Sequence, residues 1–185
     1  MNRIIGYYTN DGIETTLDCC DYIQVELLGN HAAINNAVML VSKNSLQLIL
    51  QFIWYLGKDG YPITHGTDDK SIVFGRGLTM HKLLYPNLEK GYVVDHINKN
   101  RLDNRLTNLR VCTSTQNSYN KSKPKNSTKQ YKGITQQSNG LWTAKISKSG
   151  KCYKIKDIDD EKEAAHIYDA MAEELFGKYA GKNFE

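Results

Sequence analysis

At 185 residues the chain has room for one or two small domains with cores of their own, so folding does not require disulfide or metal staples. Cys19, Cys20, Cys112 and Cys152 lack Cys-x-x-Cys spacing, which argues against a zinc knuckle or disulfide framework and for reduced, partly buried thiols. No apolar run approaches membrane-spanning length and the N-terminus lacks the apolar core of a signal peptide, so a cytoplasmic chain with no membrane partner is expected.

The formal net charge of +4 conceals a strong polarisation. Residues 1–88 hold 6 Lys/Arg against 8 Asp/Glu, residues 89–156 hold 15 against 3, and residues 157–185 hold 3 against 9. A basic band inside an otherwise acidic chain is the footprint of a nucleic-acid binder, because neutralising phosphates releases condensed counterions.

In chain order, Ile23 to Leu28 and Ala37 to Val41 read as strands, and Ser45 to Ile53 as a short buried helix or strand. No chemistry is visible in residues 1–53. WYLGKDGYPI, from Trp54, places aromatics on both sides of Gly57 to Gly60 and signals a hairpin, with Trp54, Tyr55 and Tyr61 assigned to the core. SIVF reads as a strand and LTMHKLLYP as a short helix ended by Pro86. Tyr92 to Asp95 and Leu109 to Cys112 suit two strands around an Asn/Asp-rich loop, and Thr113 with Gln116 is a capping-box pattern that opens a helix carrying Asn117. NKSKPKNSTKQ, residues 120–130, has no apolar residue and reads as a basic linker. Tyr131 to Gln137, Leu141 to Ser147 and Lys151 to Ile155 alternate as three antiparallel strands. A helix capped by Asp160 and Glu163 then carries Ala164, Ile167, Tyr168, Met171 and Leu175 at helical spacing until Gly177. Packing that stripe on the Trp142, Ala144 and Ile146 face leaves Thr143, Lys145, Ser147, Lys154 and Lys156 on the open face.

The stretch VVDHINKNRLDNRLTNLRVCTSTQN concentrates the chemistry: a carboxylate beside an imidazole, Asp95 and His96, followed by the carboxamides of Asn108 and Asn117. A hard oxygen ligand pair, a base and an orienting group suffice to hydrolyse a phosphodiester with one metal ion. His81 to Asn117, with its DHIN, LDNR and TNLR segments, resembles the HNH endonuclease family, especially the phage and intron-encoded homing enzymes. Tyr131 to Phe184 resembles the APETALA2-type DNA-binding domain.

The first resemblance implies that Asp95 and Asn117 bind the divalent metal, that His96 is the general base and that Asn108 orients its ring. Oxygen ligands favour Mg²⁺ or Mn²⁺. Arg105 and Lys99 are candidate phosphate contacts or surface charge, Asn104 a loop-stabilising residue. His81 sits where the family often has a histidine, with helix packing as the alternative, and His31, His65 and His166 are read as structural or surface residues. Linker Lys121, Lys123 and Lys125 are positioned to follow phosphates. In the second resemblance Thr135, Gln137 and Ser147 stand where relatives place guanine-reading arginines, and Lys145 replaces an acidic residue. Strong readout of a GC-rich site is therefore not expected, whereas Lys132, Gln137, Lys145 and Lys154 supply phosphate contacts and some adenine readout.

The expected fold is α+β: an N-terminal mixed region (1–88), a central ββα-metal nuclease unit (89–119), the linker (120–130) and a three-stranded antiparallel sheet packed on one helix (131–185). The expected function is metal-dependent nicking or cutting of double-stranded DNA at a selected site by a monomer or homodimer, in a host cytoplasm if phage-encoded. A non-catalytic DNA-binding regulator retaining the same fold is the competing class.

Overall fold

The computed structural model describes residues 2–67, 69–123 and 129–184. The chain forms two compact units, Met1–Cys112 and Thr113–Glu185. The first contains β1 (Ile4–Tyr8), β2 (Tyr22–Glu26), α1 (Asn30–Ile34), β3 (Val38–Ser42), α2 (Leu46–Ile49), β4 (Tyr55–Leu56), β5 (Pro62–Gly66), β6 (Val73–Thr79), α3 (Met80–Leu84), β7 (Tyr92–His96), β8 (Asp103–Asn104) and β9 (Leu109–Thr113), the last running across the boundary. The second contains α4 (Ser114–Asn120), β10 (Ile134–Gln136), β11 (Trp142–Lys148), β12 (Lys151–Ile158) and α5 (Glu161–Phe176). The architecture is α+β, as expected.

In the first unit β1, β2, β3 and β8 form one sheet, β4 to β6 a second, and β7 and β9 a ribbon. The β2–β3 register sets Ile23 opposite Val41 and Val25 opposite Met39, and these buried pairs join Ile49, Trp54 and Met80 in one core. The Trp54 indole is fully buried and donates to the Ile49 carbonyl at 3.0 Å, satisfying its one polar atom. The segment Ser45 to Ile53 resolves to the helical alternative, in α2. β6 runs on to Thr79 and α3 starts only at Met80, so the strand is longer and the helix shorter than SIVF and LTMHKLLYP imply.

Residues 1–53, in which the sequence shows no chemistry, acquire a role here. β3 presents its free edge to β8, pairing in parallel with Leu40 opposite Asp103 and Val41 opposite Asn104. Leu40 N–H donates to the Leu102 carbonyl at 2.8 Å, and Ser42 Oγ accepts from Leu106 N–H at 2.8 Å. The N-terminal sheet thus clamps the loop that follows His96. Residues up to Cys112 fall in this one compact unit.

In the second unit α5 covers one face of the β10–β11–β12 sheet, burying Ile134, Ala144, Ile146 and Ile158 against Ala164, Tyr168 and Ala172. Gly133 precedes β10 with φ +78°, and a Cβ there would fall inside the Tyr168 ring, so a turn conformation and a close approach both require glycine. The Asp169 carboxylate is buried and accepts from the Asn183 and Phe184 backbone N–H groups at 2.8 and 2.9 Å. Asn183 Oδ1 in turn accepts from Lys132 N–H at 2.7 Å, tying the C-terminal segment to the sheet. The α4 capping box is present, with Thr113 Oγ1 accepting from Gln116 N–H at 3.2 Å and Gln116 Oε1 from Thr113 N–H at 2.9 Å. Cys20 and Cys112 are buried, Cys19 and Cys152 exposed, and no disulfide joins any of them among the described residues. No helix among the described residues is long and apolar enough to cross a membrane.

Candidate active site

β7 delivers Asp95 and His96 at its end, and both are buried, at 6% and 5% exposure. Arg110 on the paired strand β9 grips the carboxylate, its Nε and Nη2 donating to Asp95 Oδ2 at 2.9 and 2.6 Å. A desolvated pair of this kind holds the carboxylate in one orientation, because breaking it would strand a buried charge.

The loop from Ile97 to Asn108 is closed by its own carboxamides. Asn108 Oδ1 accepts from Asn98 N–H at 3.0 Å, while its Nδ2 donates to Asn98 Oδ1 at 2.9 Å and to the Asp103 carbonyl at 2.8 Å. Asp103 is 1% exposed and accepts the Arg105 fork, Nε at 2.8 Å and Nη2 at 2.7 Å. Burial pushes the Asp103 carboxyl up, but the Arg105 hydrogen bonds and charge prevail and hold it below the usual carboxylate range. Asn108 therefore acts on the backbone of the loop that leaves His96. The His96 ring meets Asn104, with Nε2 3.3 Å from Oδ1. Asn104 Nδ2 donates to the Arg101 carbonyl at 3.2 Å, which turns Oδ1 to the ring and puts the imidazole proton on Nε2. Asn104, read from sequence as a loop-stabilising residue, thus also contacts the ring.

Burial lowers the His96 pKa below its ordinary value, against the raising influence of Asn104, Asp95 and Asp103, so the ring is neutral at pH 7. Two further rings meet it. His81, at the start of α3, lies edge-on to His96 with centroids 5.5 Å apart at 88°, and Tyr61 packs against both, at 5.0 and 5.8 Å. Burial first, then the His96 and Lys82 charges, lowers His81 from 6.5 to about 4. Its Nε2 lies 3.2 Å from Thr79 Oγ1, and its Nδ1 is a buried polar side-chain atom with no partner among the described residues. Such an atom costs about 1–3 kcal/mol. The packing alternative for His81 thus holds, but the packing is against the candidate base.

The other expected contacts are placed as follows. Asn117 lies on α4 in the second unit, half-buried. Arg105 is committed to Asp103 and lies over the Tyr22 ring at 4.8 Å, so framing the loop accounts for its position better than a phosphate contact does. Lys99 is exposed on the loop at φ +64°. Lys121 and Lys123 are exposed, with Lys123 Nζ donating to the Lys129 and Gln130 carbonyls at 2.6 and 2.9 Å; Lys125 lies outside the described residues. Thr135, Lys145, Ser147 and Lys154 are exposed, and the register pairs Thr135 with Thr143 and Lys145 with Lys154. Gln137 is half-buried, its Nε2 3.2 Å from Asp157 Oδ1. Lys132 Nζ donates to the Tyr119 carbonyl at 3.0 Å. A hollow of about 270 Å³ beside β10 is lined by Lys123, Lys129, Lys132, Lys145 and Thr135. His166, assigned no partner from sequence, stacks on Phe184 at 4.2 Å.

No cluster of three or more His, Cys, Asp or Glu able to hold a metal is present among the described residues. The oriented carboxylate of Asp95 is a hard oxygen donor, and few protein oxygens around an ion that keeps its waters is the coordination Mg²⁺ favours.

Residues 80–119, which span α3 through α4, match the HNH endonuclease family model. The chain is 37% identical over 148 residues to an uncharacterized HNH endonuclease of Acanthamoeba polyphaga mimivirus, covering 77% of this chain and 73% of that protein. It is 33% identical over 94 residues to Protein 3.8 of Escherichia phage T7, covering 50% of this chain and 77% of that protein. No solved structure matches. The buried Asp95–His96 pair on a clamped ribbon and a relative matched over most of both lengths lead to one conclusion: the chain belongs to the HNH endonuclease family.

Proposed function

We propose that the protein is a metal-dependent endonuclease of the homing type that hydrolyses a phosphodiester of double-stranded DNA, with His96 as general base and Asp95 and Asn117 as metal ligands. The observation that carries this reading is the neutral, buried His96 directly beside an oriented Asp95 carboxylate. A neutral imidazole takes a proton from the attacking water, and a positioned base of this kind contributes roughly 10²- to 10⁴-fold in rate. Asn104 maintains one tautomer and Asn108 the loop beneath it. Asp95 and Asn117 would hold a divalent ion, which would supply stabilisation of the charge developing on the phosphate. The donors, one carboxylate and one carboxamide, suit Mg²⁺ or Mn²⁺.

The second unit acts as the DNA-gripping module in this proposal, a role supported by the APETALA2-type resemblance and by the exposed Thr135, Lys145, Ser147 and Lys154 on the sheet face away from α5. Lys121, Lys123, Lys125, Lys132 and Lys99 add phosphate contacts, and residues 120–130 join the two functional parts. One active site cuts one strand, so a monomer nicks, and a double-strand break takes a second copy or a second pass.

The test is plasmid relaxation. Supercoiled DNA is incubated with the protein and Mg²⁺, with EDTA, and with His96→Ala protein; nicking is expected only in the first, with at least a 10²-fold loss for the variant. Wild-type protein that binds DNA and never relaxes it would instead support a non-catalytic regulator. Removing residues 131–185 should weaken site binding and flatten its salt dependence while nonspecific nicking persists; an unchanged footprint would remove the targeting role.

A further inference from the structure

We infer that His81 and Tyr61 are positioning residues for the nuclease reaction: their rings form a cradle that fixes the plane of the His96 imidazole. This rests on the reading of His96 as the base. The terminal torsion of a histidine joins an sp³ to an sp² carbon and has broad, roughly two-fold minima, so the ring plane is soft unless neighbouring groups hold it. The Asn104 bond, at 3.3 Å, is long. Contact from the sides restricts the plane directly: His81 lies edge-on at 5.5 Å and 88°, and Tyr61 at 5.8 Å and 49°.

Both supporting rings are secured independently of His96. His81 follows the α3 N-cap residue Thr79, whose Oγ1 is 3.2 Å from its Nε2, and is followed one turn on by the Tyr85 N–H bond to its carbonyl at 3.2 Å. Its neighbour Met80 is fully buried in the core of the first unit. Tyr61 closes the β4–β5 hairpin, its carbonyl accepting from Gly57 N–H at 2.8 Å. The Arg101 guanidinium covers the Tyr61 ring at 4.7 Å and is itself bonded to the Asp59 carbonyl. The cradle is therefore built from two elements, the hairpin and α3, neither of which carries Asp95 or His96. The low pKa of His81 fits the arrangement, since a charged ring against His96 would oppose its work as a base.

Misplacing a reacting group by about 1 Å can reduce the rate 10²-fold. His81→Leu keeps a side chain of comparable bulk but removes the plane, and it should lower kcat about tenfold while KM and the DNA dissociation constant stay within about twofold. His81→Phe restores a planar ring and should recover most of that loss. Tyr61→Leu and Tyr61→Phe form a second pair with the same expectation, useful if a His81 variant folds poorly, which thermal unfolding reports. In a His96→Ala background, His81→Leu should have no further effect on the residual rate. The proposal is overturned if Leu and Phe behave alike at both positions, if the loss falls on KM, or if His81→Leu slows His96→Ala protein by the same factor. Failure of the base assignment looks different: His96→Ala protein would then cut like wild type.

Discussion

The two units bury their residues in opposite ways. Around His96 the first unit buries polar and charged groups together, Asp95, His96, Asp103, Asn104 and Asn108, and holds them by hydrogen bonds and two Arg–Asp pairs. The second unit buries aliphatic and small side chains between sheet and helix, and leaves Lys145, Lys154 and Lys156 in water. Satisfied polar burial fixes geometry, and it is unforgiving, because every lost partner leaves a desolvated group behind. Exposed lysines on a rigid sheet need no fixed geometry to meet phosphates, whose attraction is long-ranged and set by salt. The part proposed to do chemistry is built by the first rule, and the part proposed to hold DNA by the second.

That contrast can be broken at several points. Asp103→Ala removes the acceptor for Arg105 and Asn98 and leaves a partly buried guanidinium unpaired; we expect a loss of about 3–5 kcal/mol in urea unfolding of the first unit and no cleavage. A loss under about 1 kcal/mol would show that the polar cluster is not what holds the loop. Changing pH should separate the units without mutation. His81 has a folded pKa of about 4 against 6.5, so between those values the unfolded chain binds the extra proton. Stability of the first unit is therefore lost as pH falls from 6.5 to 4, by up to about 1.4 kcal/mol per pH unit, with His96 adding in the same direction. In the second unit burial raises Tyr168 from 10.0 to about 12, so its contribution is complete below pH 10 and is lost as pH rises towards 12. Hydrogen exchange of each unit across pH 4 to 11 would read both slopes, and parallel slopes would refute the assignment.

Smaller effects sharpen the second half of the comparison. Gly133→Ala places a methyl group where the Tyr168 ring lies, at φ +78°, and should destabilise the second unit by about 1–3 kcal/mol in thermal unfolding while leaving the pH response of the first unchanged. Lys145→Ala with Lys154→Ala should alter stability by no more than about 0.5 kcal/mol. The pair should nevertheless reduce the salt slope of DNA binding by about one per lysine. An unaltered slope would move the DNA-gripping surface off this sheet face.

Much of the second unit was legible because its signals are local. The Thr113–Gln116 capping box, the alternation through Trp142, Ala144 and Ile146, and the α5 stripe from Ala164 to Leu175 lie within a few residues of their partners, and each element formed where expected. β1, α1 and β8 were not legible. β8 is two residues long and exists only because β3, more than sixty residues earlier, offers it an edge. Periodicity has nothing to register in a two-residue strand.

The candidate site divides along the same line. The sequence by itself determined that Asp95, His96, Asn108 and Asn117 stand at the family spacing within a basic band, since motif and charge are properties of residue order. Only the tertiary structure brought Asn104 to the His96 ring and joined Asn108 to Asn98, on a loop whose β8 residues pair with β3. It also decided that Arg105 frames the loop, that Arg110 orients Asp95, and that Tyr61 and His81, from a hairpin and a helix, flank the candidate base. These contacts join residues far apart in the chain, and packing, not residue order, sets who meets whom.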